Sequence, residues 1–257
     1  MREILESIAR EVRFDISSLP LTFEKGKELG IGADGTPTCG VDRVAEERIL
    51  RCVDEMKLPV NVLSEEIGYI ERGFERTLVI DPIDGTHNAI LGIPFYSVSL
   101  AVGKYSLNDV EFGLVKNIVT GDTYYAEKGK GAFLNGNRIA VKKFNPKQST
   151  FLVYMGMYSH PDTFHVARKS TKTRSLGCAS LEMCMVAEGK VDAYYMNCEL
   201  HEKSIRVIDI AASALILREA GGEIVTLSGE PLDMPFDLVA RSNFLAYGDH
   251  SVKEVIL

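Results

Sequence analysis

A four-residue run, Thr77-Leu78-Val79-Ile80, is closed at once by Asp81-Pro82-Ile83-Asp84-Gly85-Thr86. So short and apolar a run reads as a buried strand, and burying ionised carboxylates along with it would be costly. The strand therefore ends at an edge of its sheet, with Asp81 at the boundary and Asp84 after one tight turn permitted by Pro82. Two carboxylates three residues apart at a strand end can converge on one hard cation. Magnesium suits such a site, because it takes few carboxylates and completes its octahedron with water and phosphate. Gly85 and Thr86 then open a short helix whose backbone N–H groups can bind an anion. The plainer reading of the hexapeptide is an Asx-rich turn that caps a helix.

Around this strand the pattern alternates between helix and sheet. Ile4, Leu5, Ile8 and Val12 share one helical face, and Val41, Ala45, Ile49, Cys52, Val53 and Met56 share another. Between them, residues 21–40 hold Gly26, Gly30, Gly32, Gly35, Pro37 and Gly40 and read as a flexible loop. Val60–Leu63, Phe95–Lys104, Val110–Val115 and Thr123–Ala126 read as strands, with Asn135-Gly136 as a hairpin turn. Residues 1–140 thus predict helices on one side of a largely antiparallel sheet. Residues 141–257 alternate strands near Phe151–Met155, Val191–Met196, Glu223–Leu227 and Leu238–Tyr247 with helices from Ala179 and from Asp209. Gly189 closes the first of these helices and Gly221-Gly222 the second, whose stripe is Ile210, Ala214 and Leu217. The class expected is α+β, in two closely packed halves, 1–140 and 141–257.

Composition narrows the functions. With 29 basic against 36 acidic residues the net charge is −7, which speaks against nucleic acid or an anionic membrane as a partner. No apolar run reaches the length of a membrane span, and the acid-bearing N-terminus lacks the apolar core of a signal peptide. The five cysteines form no C-x-x-C pair, so they are expected to be mostly buried thiols in a reducing compartment, the cytoplasm.

More carboxylates gather on the hexapeptide's edge. Ser64-Glu65-Glu66 ends the preceding strand, Asp42 begins the helix after the glycine-rich loop, and Asp209 begins the helix that ends in Glu219-Ala220-Gly221-Gly222. Taken singly, an Asp at a helix start is usually a cap. In this order, however, Gly35-Thr36-Pro37-Thr38 with Asp42, Glu65-Glu66, Asp81 to Thr86, and Asp209 to Gly222 resemble the inositol monophosphatase and fructose-1,6-bisphosphatase superfamily. The nearest likeness is to its archaeal-type dual enzymes.

That resemblance implies a layered α/β/α/β/α sandwich and a magnesium-dependent phosphatase using two to three ions, with manganese as an alternative. Glu65, Asp81 and the carbonyl of Ile83 would hold the first ion, and Asp81, Asp84 and Asp209 the second. Glu65 would share a third, weaker ion, helped by Asp34 in the mobile loop. Thr86, paired with Asp42, would orient and deprotonate the attacking water, while the Gly85 and Thr86 amides hold phosphate. Asp84 and the segment Gly177-Cys178-Ala179 would face the sugar hydroxyls, Glu202 is the expected sugar-contacting carboxylate, and Arg174, Lys203 and Arg206 are candidates for a second phosphate. The substrate is a small phosphate ester, inositol-1-phosphate or fructose 1,6-bisphosphate ahead of 3′-phosphoadenosine 5′-phosphate, NADP and histidinol phosphate. A homodimer is implied. Ile208 stands where the family often has Trp, which removes a packing group and no ligand; His87 is left out as structural.

Other patterns carry less. Gly30-Ile31-Gly32-Ala33-Asp34-Gly35 matches G-x-G-x-x-G in letters but neither follows a strand nor opens a helix. His160 and His165 flank Asp162, and Cys198 precedes His201, without the companion ligands of a zinc site. The rival function is a catalytically idle metal and phosphate sensor, which would be expected to lack one of Asp42, Glu65, Asp81, Asp84, Thr86 or Asp209.

Overall fold

The computed structural model describes residues 1–33 and 35–257. Five layers stack in the order helices, sheet, helices, sheet, helices. The outer helices are α1 (Arg2–Ser17) and α2 (Gly40–Glu55). They cover an eight-stranded sheet ordered β10-β9-β8-β7-β6-β5-β3-β4, from β3 (Asn61–Ser64), β4 (Gly68–Ile70), β5 (Thr77–Asp84), β6 (Ser97–Gly103), β7 (Phe112–Asn117), β8 (Thr123–Glu127), β9 (Gly131–Leu134) and β10 (Asn137–Ile139). Every pairing in it is antiparallel except β3 with β5. The turn between β9 and β10 is Asn135-Gly136, both with positive φ, as the dipeptide predicts.

The middle layer is α5 (Ala179–Ala187) and α6 (Val207–Glu219). Beyond it lies a five-stranded sheet, β12-β11-β13-β15-β14, from β11 (Thr150–Val153), β12 (Lys172–Arg174), β13 (Ala193–Met196), β14 (Glu223–Thr226) and β15 (Phe244–Tyr247). The last layer is α4 (Asp162–Ala167) and α7 (His250–Ile256). Three apolar cores follow from this stacking. Leu5, Ile8, Ile49, Leu78 and Ile80 meet on the outer side of the large sheet. Val79, Ala101, Met183, Ile210 and Phe244 meet between the sheets, and Phe151, Val166, Leu245 and Val252 under the last helices.

Three differences from the expectations have physical causes. Part of the glycine-rich segment is a hairpin rather than open loop: β1 (Glu28–Ile31) pairs antiparallel with β2 (Pro37–Cys39). Its β1 residues are all exposed, so no hydrophobic alternation announces them. Helix α6 has no polar face, because Val207 through Leu217 are buried on every side between two sheets. The backbone of α6 lies so close to β7 that a Cβ on Gly113 would come within 2.7 Å of the Ala212 carbonyl. Helices α4 and α7 span only six and seven residues, too short for a helical period to register.

Candidate active site

Strand β5 delivers the carboxylates through a fault in its own ladder. Asp81 pairs with Ser99 and Asp84 with Ser97, so three steps on β5 oppose two on β6. Side chains alternate along a regular strand, and residues three apart would face opposite layers. The bulge cancels that step and turns both carboxylates toward α5 and α6. Ile83 packs the other way, into the core under α1 and α2.

Asp84 is seated on the start of α5. Its Oδ2 accepts the Ser180 N–H at 2.6 Å, the Ser180 hydroxyl at 2.5 Å and the Cys178 thiol at 3.1 Å, and Oδ1 accepts the Ala179 N–H at 3.2 Å. The Ser180 hydroxyl lies 2.8 Å from that of Ser97, directly beneath on β6. Burial still pushes the Asp84 carboxyl up, against the pull of these donors. Asp81 is 2% exposed, and its Oδ1 is buried without a hydrogen-bond partner. Burial, then the charges of Asp84, Glu65 and Asp209, hold its carboxyl far above the usual range, with Arg206 opposing them.

Arg206 is the cation of the cluster. Its Nη1 lies 2.8 Å from Glu65 Oε1, and its Nη2 lies 2.8 Å from Asp209 Oδ1. Asp209 also accepts the backbone N–H of Arg206 at 2.8 Å, so the capping role of an Asp in the first helical turn is real and coexists with its place in the cluster. Burial opposes the charge on the guanidinium, but Asp209 and Glu65 outweigh it and raise its pKa.

The Thr86 hydroxyl closes the other side of the site. It starts α3 (Thr86–Leu91), 2.8 Å from Asp42 Oδ1 on α2 and 2.9 Å from the Ile83 carbonyl. Asp42 is buried, and desolvation pushes its carboxyl up to about 7 despite the Thr86 hydroxyl. Gly85 has a φ of 87°, and a Cβ there would stand 3.1 Å from the Gly177 carbonyl and 3.2 Å from the Cys178 Cβ. Only glycine permits this turn to approach the 177–178 segment this closely.

The structure therefore gathers Asp42, Glu65, Asp81, Ile83, Asp84, Gly85, Thr86, Gly177, Cys178, Ala179, Arg206 and Asp209 at one end of the large sheet. Glu202 and Lys203 line a cavity of about 200 Å³ beside it, together with Thr36, Arg206, Asp209 and Arg241. Arg174 lies instead on the exposed edge strand β12, where its guanidinium bonds the Thr173 carbonyl. Asp34 lies outside the described residues.

Several supporting contacts are not legible in the sequence, some of them made by residues of its motifs. Glu46, one turn beyond Asp42 on α2, accepts the Ser64 hydroxyl at 2.5 Å and the Ile67 N–H at 3.2 Å, so it holds the turn that carries Glu65. Glu66 accepts the Thr38 hydroxyl, tying that turn to β2. Glu182 accepts the Leu176 N–H at 2.9 Å, and Asn88 donates to the Leu176 and Phe95 carbonyls at 2.7 and 2.8 Å. The helical spacing from Asp42 to Glu46 is the one legible signal among these; Ser97, Glu182 and Arg241 carry none, while Ser180 closes the small-residue segment that begins at Gly177.

As the side chains stand, no three His, Cys, Asp or Glu among the described residues are arranged to hold an ion together. The guanidinium of Arg206 lies between two of them. The donor set nonetheless fits a hard cation, since it is all oxygen, from carboxylates and the Ile83 carbonyl, it already surrounds a positive charge, and one buried Asp81 oxygen has no partner.

Comparison with known proteins agrees with this arrangement. The family model described as the inositol monophosphatase family matches residues 7–255. The fructose-1,6-bisphosphatase/inositol-1-monophosphatase of Archaeoglobus fulgidus is 39% identical over 247 residues, spanning 95% of this chain and 91% of that protein. The bifunctional NADP phosphatase/NAD kinase of Methanococcus maripaludis is 34% identical over 284 residues, covering 100% of this chain and 48% of its own length. Among solved structures, a Pyrococcus horikoshii protein described as similar to inositol-1 monophosphatase matches with a TM-score of 0.86 and 31% identity, over 99% of this chain and 96% of that one. The layered fold, the carboxylate cluster and the match over nearly the whole length agree: the chain belongs to the inositol monophosphatase family.

Proposed function

We propose that this chain is a metal-dependent phosphomonoesterase of small sugar or polyol phosphates, foremost inositol-1-phosphate and fructose 1,6-bisphosphate. The observation that carries the reading is the meeting, at one bulged strand end, of a partnerless buried carboxylate oxygen on Asp81 with the Thr86–Asp42 pair. The activities named for relatives at 37% and 39% identity support the substrate class. Glu65, Asp81, Asp84, Asp209 and the Ile83 carbonyl would hold two to three magnesium ions, manganese being the alternative. When bound, such ions supply Lewis acidity toward phosphate and a lowered pKa for water.

The chain's own groups do the rest. Thr86 Oγ1 orients a water and takes its proton while passing its own to Asp42 Oδ1, 2.8 Å away. Burial suits Asp42 to this, because a carboxylate raised to about 7 is a far better proton acceptor than one near 4. The amides of Gly85 and Thr86 bind the phosphate, and Glu65 helps to fix the attacking side. Asp84, the segment Gly177-Cys178-Ala179 and Glu202 meet the sugar hydroxyls, with Lys203 and Arg206, which line the adjoining cavity, assigned to a second anionic group. Because a relative carries an NADP phosphatase name, NADP belongs in the substrate panel. We place the enzyme in the cytoplasm as a homodimer, with the catalytic motifs in residues 1–140 and Asp209 and the recognition segments in 141–257. No helix among the described residues is long and apolar enough to cross a membrane. The test is phosphate release from inositol-1-phosphate, fructose 1,6-bisphosphate, NADP and 3′-phosphoadenosine 5′-phosphate, with and without Mg²⁺. Release from none of them overturns the proposal.

A further inference from the structure

We propose that Arg206 is the built-in counter-ion of the carboxylate cluster, occupying lone pairs that a divalent ion must claim, so that ion binding evicts its guanidinium toward the adjoining cavity. This rests on the metal-dependent reading above and adds a competitor to it. The geometry is specific. Nη1 takes Glu65 Oε1 and Nη2 takes Asp209 Oδ1, each at 2.8 Å, while Nε reaches Asp209 Oδ2 at 3.3 Å. All three side chains are largely shielded, 16% exposed for Arg206 and Glu65 and 11% for Asp209. In such a site an uncompensated carboxylate is expensive, and one guanidinium between two of them is what keeps them together.

Arginine cannot leave this arrangement by losing its proton, because its guanidinium stays charged at every working pH. It must move. Magnesium demands ligands at about 2.0–2.1 Å in octahedral geometry, and a divalent ion drawn onto the Glu65 and Asp209 oxygens at that distance repels the guanidinium already seated on them. The backbone of Arg206 is pinned as the cap of α6 by its N–H to Asp209 Oδ2, so only the side chain can swing. The space it borders is the cavity of about 200 Å³ where Lys203 and Arg241 also stand. There the evicted charge would join Lys203 and Arg241 and outweigh the carboxylate of Glu202. Filling the metal site would thus create the positive rim that the substrate needs, and the order of binding would be ion before anion.

The test measures Mg²⁺ alone, by calorimetry and by thermal shift, on wild type, R206Q and R206K without substrate. Relieved of its competitor, R206Q should bind Mg²⁺ about tenfold more tightly, which is about 1.4 kcal/mol. It should also melt lower than wild type before Mg²⁺ is added and gain more from the ion. R206K keeps the charge but not the two-pronged grip, so its Kd should fall between the two; if R206Q does not fold, this comparison carries the test. A wild type that binds Mg²⁺ with an R206Q of equal or weaker affinity overturns the counter-ion role and leaves the metal reading intact. A wild type with neither binding heat nor thermal shift overturns both.

Discussion

Replacing Thr86 with valine removes one hydroxyl and keeps the shape of the side chain. In the structure that hydroxyl is 2.8 Å from Asp42 Oδ1 and 2.9 Å from the Ile83 carbonyl, and Asp42 is only 5% exposed. Losing it strips a buried carboxyl of a partner that water cannot readily replace, at a cost of about 1–3 kcal/mol. For a chain of this length that corresponds to a melting temperature lower by roughly 2–6 °C, since entropies of unfolding near 2.1 cal/mol/K per residue give about 2 °C per kcal/mol. The kinetic effect should be far larger, because a positioned proton acceptor contributes about 10²–10⁴ in rate. The pH profile adds a sign. Asp42 must be ionised to accept the proton, so kcat/KM should fall as pH drops through about 7, the value to which burial raises it. The Thr86 hydroxyl works against that rise, so Thr86→Val moves the acid limb upward in pH. Thr86→Ser keeps the hydroxyl and should restore most of the rate. Steady-state phosphate release between pH 5.5 and 9, paired with thermal melts, decides the matter. A variant with kcat preserved and only KM raised would refute the proton relay and reduce Thr86 to a substrate contact.

Chelation should abolish turnover, and Mg²⁺ should raise the melting temperature, because it neutralises a cluster in which Asp81, Asp84 and Glu65 oppose one another; undiminished turnover in EDTA would end the metal mechanism. Glu182 is raised to about 8, first by burial and then by Asp84, so the native state holds its proton more tightly than the unfolded chain does. Its contribution to stability is complete below about 4.5, the unfolded value, and is lost as pH rises toward 8. Glu182→Gln should therefore flatten the decline in melting temperature between about pH 4.5 and 8, and parallel curves for the two proteins would contradict the assignment. Gly85→Ala costs about 1–2 kcal/mol from its left-handed φ alone, before the Cβ meets the Gly177 carbonyl. We expect weaker phosphate binding as well, measured as a raised Kd for inorganic phosphate; an unchanged Kd would remove the Gly85 turn from the anion site.

The parts of the site legible beforehand were those in which one residue type at one spacing has few uses. Asp81 and Asp84 after a buried run, with glycine and a hydroxyl behind them, announce their chemistry locally. The Asp81–Asp84 bulge could not be read there, because it is a property of the pairing with Ser97 and Ser99. The ion pairs of Arg206 with Glu65 and Asp209 are likewise invisible in the sequence, which offers Arg206 only as a basic residue near the site. A flexible side chain goes where non-local charge sends it, and spacing carries no information on that. Glu46 and Glu182 pass for solvated helix charges until the packing around them is known. Helix α6 misled in the opposite sense: Ile210, Ala214 and Leu217 do form a stripe, but so does everything opposite them, because a second sheet covers that side.

That doubly covered helix sets the clock of the site. An amide in the middle of α6 can meet solvent only when both sheets separate, so its hydrogen exchange should proceed through global unfolding. Asp209 is thus mounted on the slowest-opening element of the molecule. The β1–β2 hairpin, joined to the Glu66 turn through Thr38 and Ala33, has a wholly exposed first strand and should exchange through cheap local openings. The floor of the site should therefore open only with global unfolding, and the hairpin beside it should open locally. Ligand entry and exit can be fast without loosening the carboxylates, and protection bound at Asp209 will be felt as protection of the whole chain.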